Sequence, residues 1–318
     1  MGDSLKPCQL AVNHPVWRGW VLADIWPVAS TSAFCYQGTS ELGHFPAKGD
    51  LPMKRTMFLG FPFLLLVGVL VGPQHASSAD ADGTVKLFNG KDLTGFYTWL
   101  KGHGKNTDPD KVFTVHDGMI HVTGKVFGGF ITDKEYENYH LVTEFKWGEK
   151  TYAPRENGAR DSGILLHCVG EDGAAGGVWM ESIECQMIEG GTGDIILVGG
   201  KGKPKVTVTA EQRGKQWYYK PDAPAKEFTG GRINWYARDL EWRDSKGFRG
   251  KEDVEKPVGE WNTLECICNG DKLNYILNGK TVNAATNASH TKGKILFQSE
   301  GAEVFFRRID LKPLGEVK

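Results

Sequence analysis

The sequence predicts an all-β protein, a sandwich or jelly roll, from three observations. Glycine is abundant at 41 residues and aromatic residues make up 11% of the chain, a composition suited to many turns and short strands. Short apolar runs recur between Gly-rich and Asn-Gly turns. No amphipathic helix of three or more turns can be drawn anywhere on the sequence.

Taken in order, residues 1–52 show neither helical nor strand periodicity and read as a leader, either disordered or upstream of a true start at Met53. Met53-Lys54-Arg55 is a basic n-region, 57–72 an apolar run, and Ala76-Ser77-Ser78-Ala79 supplies small residues for cleavage. A secretory signal peptide over 53–79 follows, with export to the periplasm or beyond. The apolar run holds Pro62 and is shorter than roughly 18 residues, so no stable membrane span is expected after cleavage. Residues 80–318 then form one domain, large enough for a real core.

Within that domain, 85–88 reads as a strand entering the Asn89-Gly90 turn. The runs 112–115 and 119–122 form a hairpin around Asp117-Gly118. The segment 139–147 alternates, with Leu141, Thr143, Phe145 and Trp147 on one face and His140, Val142, Glu144 and Lys146 on the other. Strands follow at 162–169 and 182–188, separated by the Gly-rich loop 170–177, and then at 206–209, 232–236, 262–268, 273–277, 294–298 and 304–311. The stretch 210–259, rich in Lys, Arg, Trp and Pro, reads as one long functional loop.

With 38 basic against 39 acidic residues there is no global field for gripping nucleic acid, and no nucleic-acid partner is expected. Cys168, Cys185, Cys266 and Cys268 lie in the mature part without metal-type spacing, so neither metal nor other cofactor is expected. Buried free thiols are the favoured reading, with a Cys168 to Cys185 cross-strand bridge as the alternative.

Chemistry concentrates in 160–194. Alternation puts Ile164, Leu166 and Cys168 on one face of their strand and Asp161 and His167 on the other, while Glu184 and Gln186 oppose Ile183, Cys185 and Met187. If Cys168 stands opposite Cys185, His167 stands opposite Gln186, gathering His167, Glu184 and Gln186 into one patch. A neutral histidine can carry a proton there. Glu189 reaches this face only through a bulge. The spacing E-x-Q-x-x-E at 184–189 is similar to that of laminarinase-type jelly-roll glycosidases, whose paired carboxylates flank the sugar bond, but the middle residue here is an amide. The bland alternative is a solvated polar edge. Glu144, Lys146 and Gln298 are further candidate substrate contacts. Arg307 suits an oxyanion, or a surface ion pair with an acidic neighbour. Trp147, Trp179 and Trp235 suit sugar stacking or a core.

The elements LFNGKDLTGF at 87–96, DSGI at 161–164, ECQ at 184–186 with Thr192-Gly193, GEWNTLE at 259–265, LNGK at 277–280 and FFRRIDLKPL at 305–314 resemble, in order, the bacterial 3-keto-disaccharide hydrolase family. The chain departs from that family's common pattern at Asp161, His167 and Arg308. The resemblance implies a concanavalin A-like jelly roll in an exported protein that cleaves glycosides oxidised at C3. It further implies Glu184 or His167 as base, Arg307 with Gln186 as enolate donors, and Glu189 or Asp161 as acid or hydroxyl anchor. Asp161, Gln186, Glu144, Lys146, Trp179 and Gln298 would contact a small-molecule or oligosaccharide substrate. The rival expectations are a non-catalytic lectin-like module and a laminarinase-type glycoside hydrolase.

Overall fold

A computed structural model describes residues 80–314, and all of their regular structure is strand. In chain order the strands begin β1 (Val85–Lys86), β2 (Phe96–Leu100), β3 (Gly104–Lys105), β4 (Phe113–His116), β5 (Met119–Val122) and β6 (Gly128–Thr132). The middle of the chain forms β7 (Tyr139–Thr151), β8 (Asp161–Val169), β9 (Glu181–Ile188), β10 (Ile195–Val198), β11 (Val206–Arg213), β12 (Gln216–Tyr219), β13 (Ala225–Phe228) and β14 (Gly231–Asn234). The last strands are β15 (Asn262–Asn269), β16 (Lys272–Leu277), β17 (Lys280–Ala285), β18 (Lys294–Ser299) and β19 (Ala302–Pro313).

They form two sheets of a jelly-roll sandwich. The smaller runs β17-β16-β15-β7-β19-β5-β4 with β1 on β19, and the larger runs β13-β11-β12-β14-β10-β9-β8-β18-β6-β2-β3. The facing surfaces bury Leu141, Phe145, Trp147, Tyr275 and Phe306 against Phe130, Ile164, Ile183, Met187 and Phe297 in one core. Phe130 stacks on Phe297 at 4.8 Å, and Phe306 meets both edge-on at 5.7 Å. The alternation read in 139–147 is the alternation observed. The Asp117-Gly118 and Asn278-Gly279 turns both carry the left-handed φ values that close two-residue hairpins.

Three expectations are corrected. The stretch 210–259 is not one loop: β12, β13 and β14 lie within it and extend the larger sheet, and the long strand-free part is 235–261. Trp147 and Trp235 are 1% and 2% exposed and belong to the core, which removes them from sugar stacking. Cys168 does not share a side with Ile164 and Leu166. One extra residue enters β8 between Leu166 and Val169, against both β9 and β18, and His167 takes a φ of 52° there. The bulge reverses the strand's alternation, so Cys168 joins Leu165, Ile131 and Leu296 in a second apolar cluster on the outer face.

All four cysteines of the described region are free and buried. The leader and signal-peptide readings of 1–79 fall outside the described residues. Among the described residues no helix is long and apolar enough to cross a membrane.

Candidate active site

The outer face of the larger sheet carries a polar cluster whose position follows from register. Glu184 of β9 stands beside Leu165 of β8 and Ile196 of β10, and Ile196 beside Arg232 of β14. One row along, Gln186 stands beside Gly163, and the pairing of Phe297 with Ile164 sets Gln298 on the other side of Gly163. Asp161 opens β8, and half-buried Glu300 follows β18 on the side of Gln298. A Cβ at Gly163 would meet Glu184 Oε1 and Gln298 Oε1, which both lean over it, so a larger residue there would push these two side chains aside.

Asp161 is held by donors on both oxygens. Gln186 Nε2 donates to Oδ1 at 2.5 Å, and Arg155 Nη2 stands 3.3 Å from Oδ2. Burial raises its pKa to about 6, against the pull of Arg155 and Arg232. Glu184 is only 3% exposed and its Oε1 receives no hydrogen bond. Burial first, and then the Asp161 charge, push its pKa up to about 8. Glu300 is held well above the usual carboxylate range by burial and by the same two neighbours.

Around these acids the hydrogen-bonding capacity is left unused. Of the twelve buried side-chain atoms without a partner among the described residues, five belong here: Arg155 Nε, Arg232 Nε, Arg232 Nη2, Glu184 Oε1 and Gln298 Oε1. Arg232 Nε lies 2.9 Å from Asp194 Oδ2 but off the hydrogen-bond line, and Arg238 takes the same oxygen. Buried orphan groups are costly, and a concentration of them marks a place where something else is meant to bond. No group of three or more His, Cys, Asp and Glu among the described residues is placed to hold a metal ion.

The 3-keto-alpha-glucoside-1,2-lyase-like domain model matches residues 83–312. The chain belongs to that family. A crystal structure from Parabacteroides distasonis ATCC 8503, provisionally designated a glycosyl hydrolase, is similar at 22% identity over 74% of this chain and 95% of that one, with a TM-score of 0.43. The Bacillus licheniformis β-glucanase is similar at 13% identity over 74% of this chain and 100% of that one, with a TM-score of 0.37. The carbohydrate binding module CBM66 of Bacillus subtilis covers 68% of this chain and 94% of its own at 9% identity, with a TM-score of 0.36. No curated protein matches.

In this lyase-like domain, Asp161, Glu184, Gln186 and Gln298 come together on the outer face, and Trp179 packs on the same face against the apolar cluster of Leu165 and Leu296. The other candidates stand elsewhere. The bulge turns His167 inward, against Tyr139 of the facing sheet at 5.4 Å, with Nδ1 donating to the His290 carbonyl at 2.9 Å. Burial lowers its pKa to about 4, and it makes no contact with the acids. Glu189 does not gain the polar face, because the β8–β9 register runs without a shift from Asp161 to Leu166. Its carboxylate instead pairs with Arg160 at 2.9 Å and accepts from Gly247 N at 3.0 Å.

Arg307, Glu144 and Lys146 lie on the outer face of the smaller sheet, where Arg307 Nε meets Glu144 Oε2 at 2.5 Å. A groove of about 690 Å³ runs past Arg307 and Glu144 toward Asp80, Phe88 and Asp310. Arg307 and Arg308 there pair with Glu144 and Asp310, and Lys86 with Asp80, in open pairs that are worth little.

The residues missed from sequence are Arg155, Arg232 and Glu300. Arg232 was legible: Ile233 and Trp235 face the core, so Arg232 and Asn234 must face out. Glu300 shares the parity of Gln298. Arg155 sits in a turn with no period to place it.

Proposed function

We propose that this chain cleaves glycosides already oxidised at C3, by elimination across C1 and C2 followed by hydration. Family membership supports the chemistry, and the observation that carries it is the opposed setting of Asp161 and Glu184. Two carboxyl groups whose environments separate their pKa values divide the acid and base roles between them. Near neutral pH Asp161, gripped by Gln186 and Arg155, is a carboxylate, while Glu184 keeps its proton.

A C3 ketone acidifies the C2 hydrogen. Asp161 takes that proton, and the electron pair forms an enolate whose oxygen the free donors of Arg232 and Arg155 hold. As the enolate collapses, the C1–O bond breaks and Glu184 gives its proton to the departing oxygen, leaving a C1=C2 enone and a free alcohol or sugar. Water then adds at C1 as Glu184 takes its proton, and Asp161 returns the first proton to C2. A placed base contributes about 10² to 10⁴-fold and each oxyanion donor about 10² to 10³-fold. Glu184 is therefore the acid and Asp161 the base, and His167, Glu189 and Arg307 take no part.

A laminarinase-type displacement is disfavoured, because Gln186 is engaged with Asp161 and Glu189 is outside the cleft. The signal-peptide reading adds that the protein acts outside the cytoplasm, which a mature N-terminus at Asp80 would bear out. The test is release of alcohol by the full chain from a 3-keto-glucoside, the matching unoxidised glucoside and a β-glucan. Release from the keto substrate alone is expected. Cleavage of the unoxidised compounds overturns the mechanism, and binding without release makes the protein a lectin-like module.

A further inference from the structure

The polar cluster does not end at β18. Past Gln298 the next position on the same face is Gly129 of β6, and beyond it Trp99 of β2. In the adjacent row Gly128 pairs with Ser299, so Phe127 follows Glu300. Phe127 stacks on Trp179 with ring centroids 6.3 Å apart, and Trp99 donates to the Gly177 carbonyl at 3.4 Å. The Gly-rich loop 170–177 thus forms a rim, and Trp99, Phe127 and Trp179 make a half-buried aromatic wall beside a floor where Gly163 is overlain by Glu184 and Gln298 and Gly129 by Leu296.

We infer that this wall is the subsite for the leaving group, and that it takes a flat ring, pyranose or aryl, joined to C1 of the keto sugar. The inference rests on the proposed cleavage. Arg232 approaches from β14, at the opposite side of the cluster from β6. With the C3 oxygen held there, the substituent on C1 points away from Arg232, across Glu184 and Gln298, toward the wall. Gly163 and Gly129 are two strand spacings apart, roughly 10 Å, the span of two linked sugar rings. A ring has one apolar face to offer an aromatic surface, and such stacking contributes about tenfold in affinity.

Trp179→Ala and Phe127→Ala in the full chain should each raise KM about tenfold for 3-keto substrates with a phenyl or glucosyl leaving group, while the methyl 3-keto-glucoside stays within about twofold. Trp179→Phe should restore most of the loss. Loss confined to the phenyl substrate identifies an aryl subsite, and loss confined to the glucosyl one identifies a sugar subsite. Equal loss on the methyl substrate, or no loss on any, overturns the inference. Calorimetric titration with phenyl and methyl glucoside separates the two readings. Tighter phenyl binding that disappears in Phe127→Ala, in a protein that cleaves nothing, overturns the elimination and leaves the wall standing; equal binding overturns the wall.

Discussion

Two regions of this domain bury acids, and they differ in what surrounds them. Under the segment 235–261, Glu255 accepts from Trp147 Nε1 at 2.5 Å and Thr192 Oγ1 at 2.7 Å, and Glu189 is closed by Arg160 and Gly247. In the polar cluster, Glu184 Oε1, Gln298 Oε1 and three arginine nitrogens have no hydrogen-bond partner, against Trp235 Nε1 and Asp253 Oδ2 within 235–261. Both regions push a glutamate up to about 8, by burial first and a neighbouring aspartate second. A raised pKa therefore does not separate a site from a strut. The concentration of unused donors and acceptors does, five around Glu184 against two within 235–261, because each polar group left unpaired costs stability.

The sharpest test of this contrast is Asp161→Asn, which should lower kcat/KM on a 3-keto-glucoside by about 10² to 10⁴-fold with little change in Tm. A loss of less than tenfold would remove Asp161 as base. Arg232→Gln should cost about 10² to 10³-fold, again without unfolding.

In the sealed region the pattern inverts. Glu189→Ala leaves Arg160 buried without its partner and should destabilise by about 3 to 5 kcal/mol in urea unfolding, while protein that remains folded keeps its kcat. A selective loss of kcat there would place Glu189 back in the chemistry.

The pH dependence sharpens the contrast further. The rate should rise as Asp161 ionises through about 6 and fall as Glu184 loses its proton through about 8. The folded state holds protons on Glu184 and Glu255 more tightly than the unfolded chain does, so their stabilisation is complete below the usual glutamate value of 4.5 and is lost as pH rises toward 8. Glu184→Gln and Glu255→Gln should each flatten the fall in Tm across that window, but only the first should abolish the alkaline limb of the rate. The smallest effect belongs to His167→Asn, an exchange that tolerates the left-handed φ and should change kcat/KM less than about threefold.

Much of this architecture was legible because side-chain alternation survives where one face of a strand is buried. The 139–147 pattern and the Asp-Gly and Asn-Gly turns placed their elements correctly. The strand β6, Gly128–Thr132, is buried on both faces and begins with two glycines, so it offered neither alternation nor a propensity signal. β12 and β13 were hidden by exposed Lys, Gln and Pro along an outlying part of the sheet. Asp161, Glu184, Gln186 and Gln298 could be found because each shares a strand with clear core residues. The placement of His167 and Glu189 depended on where a bulge falls. Nothing local in the sequence marks that position, because the extra residue is a histidine and carries no glycine's signature.

The bulge at His167 is, in effect, a phase shift within a single strand. Before it, β8 delivers its outward positions to the cleft; after it, the outward position is Cys168, which anchors the apolar cover beneath the rim loop. One strand thereby serves two clients that a strict two-residue rhythm could not satisfy together. Deleting residue 167 would take out the extra residue and leave Cys168 and Val169 on the faces they now hold, in unbroken register with Ser182 and Glu181, so the rim keeps its anchor while the inward histidine is lost.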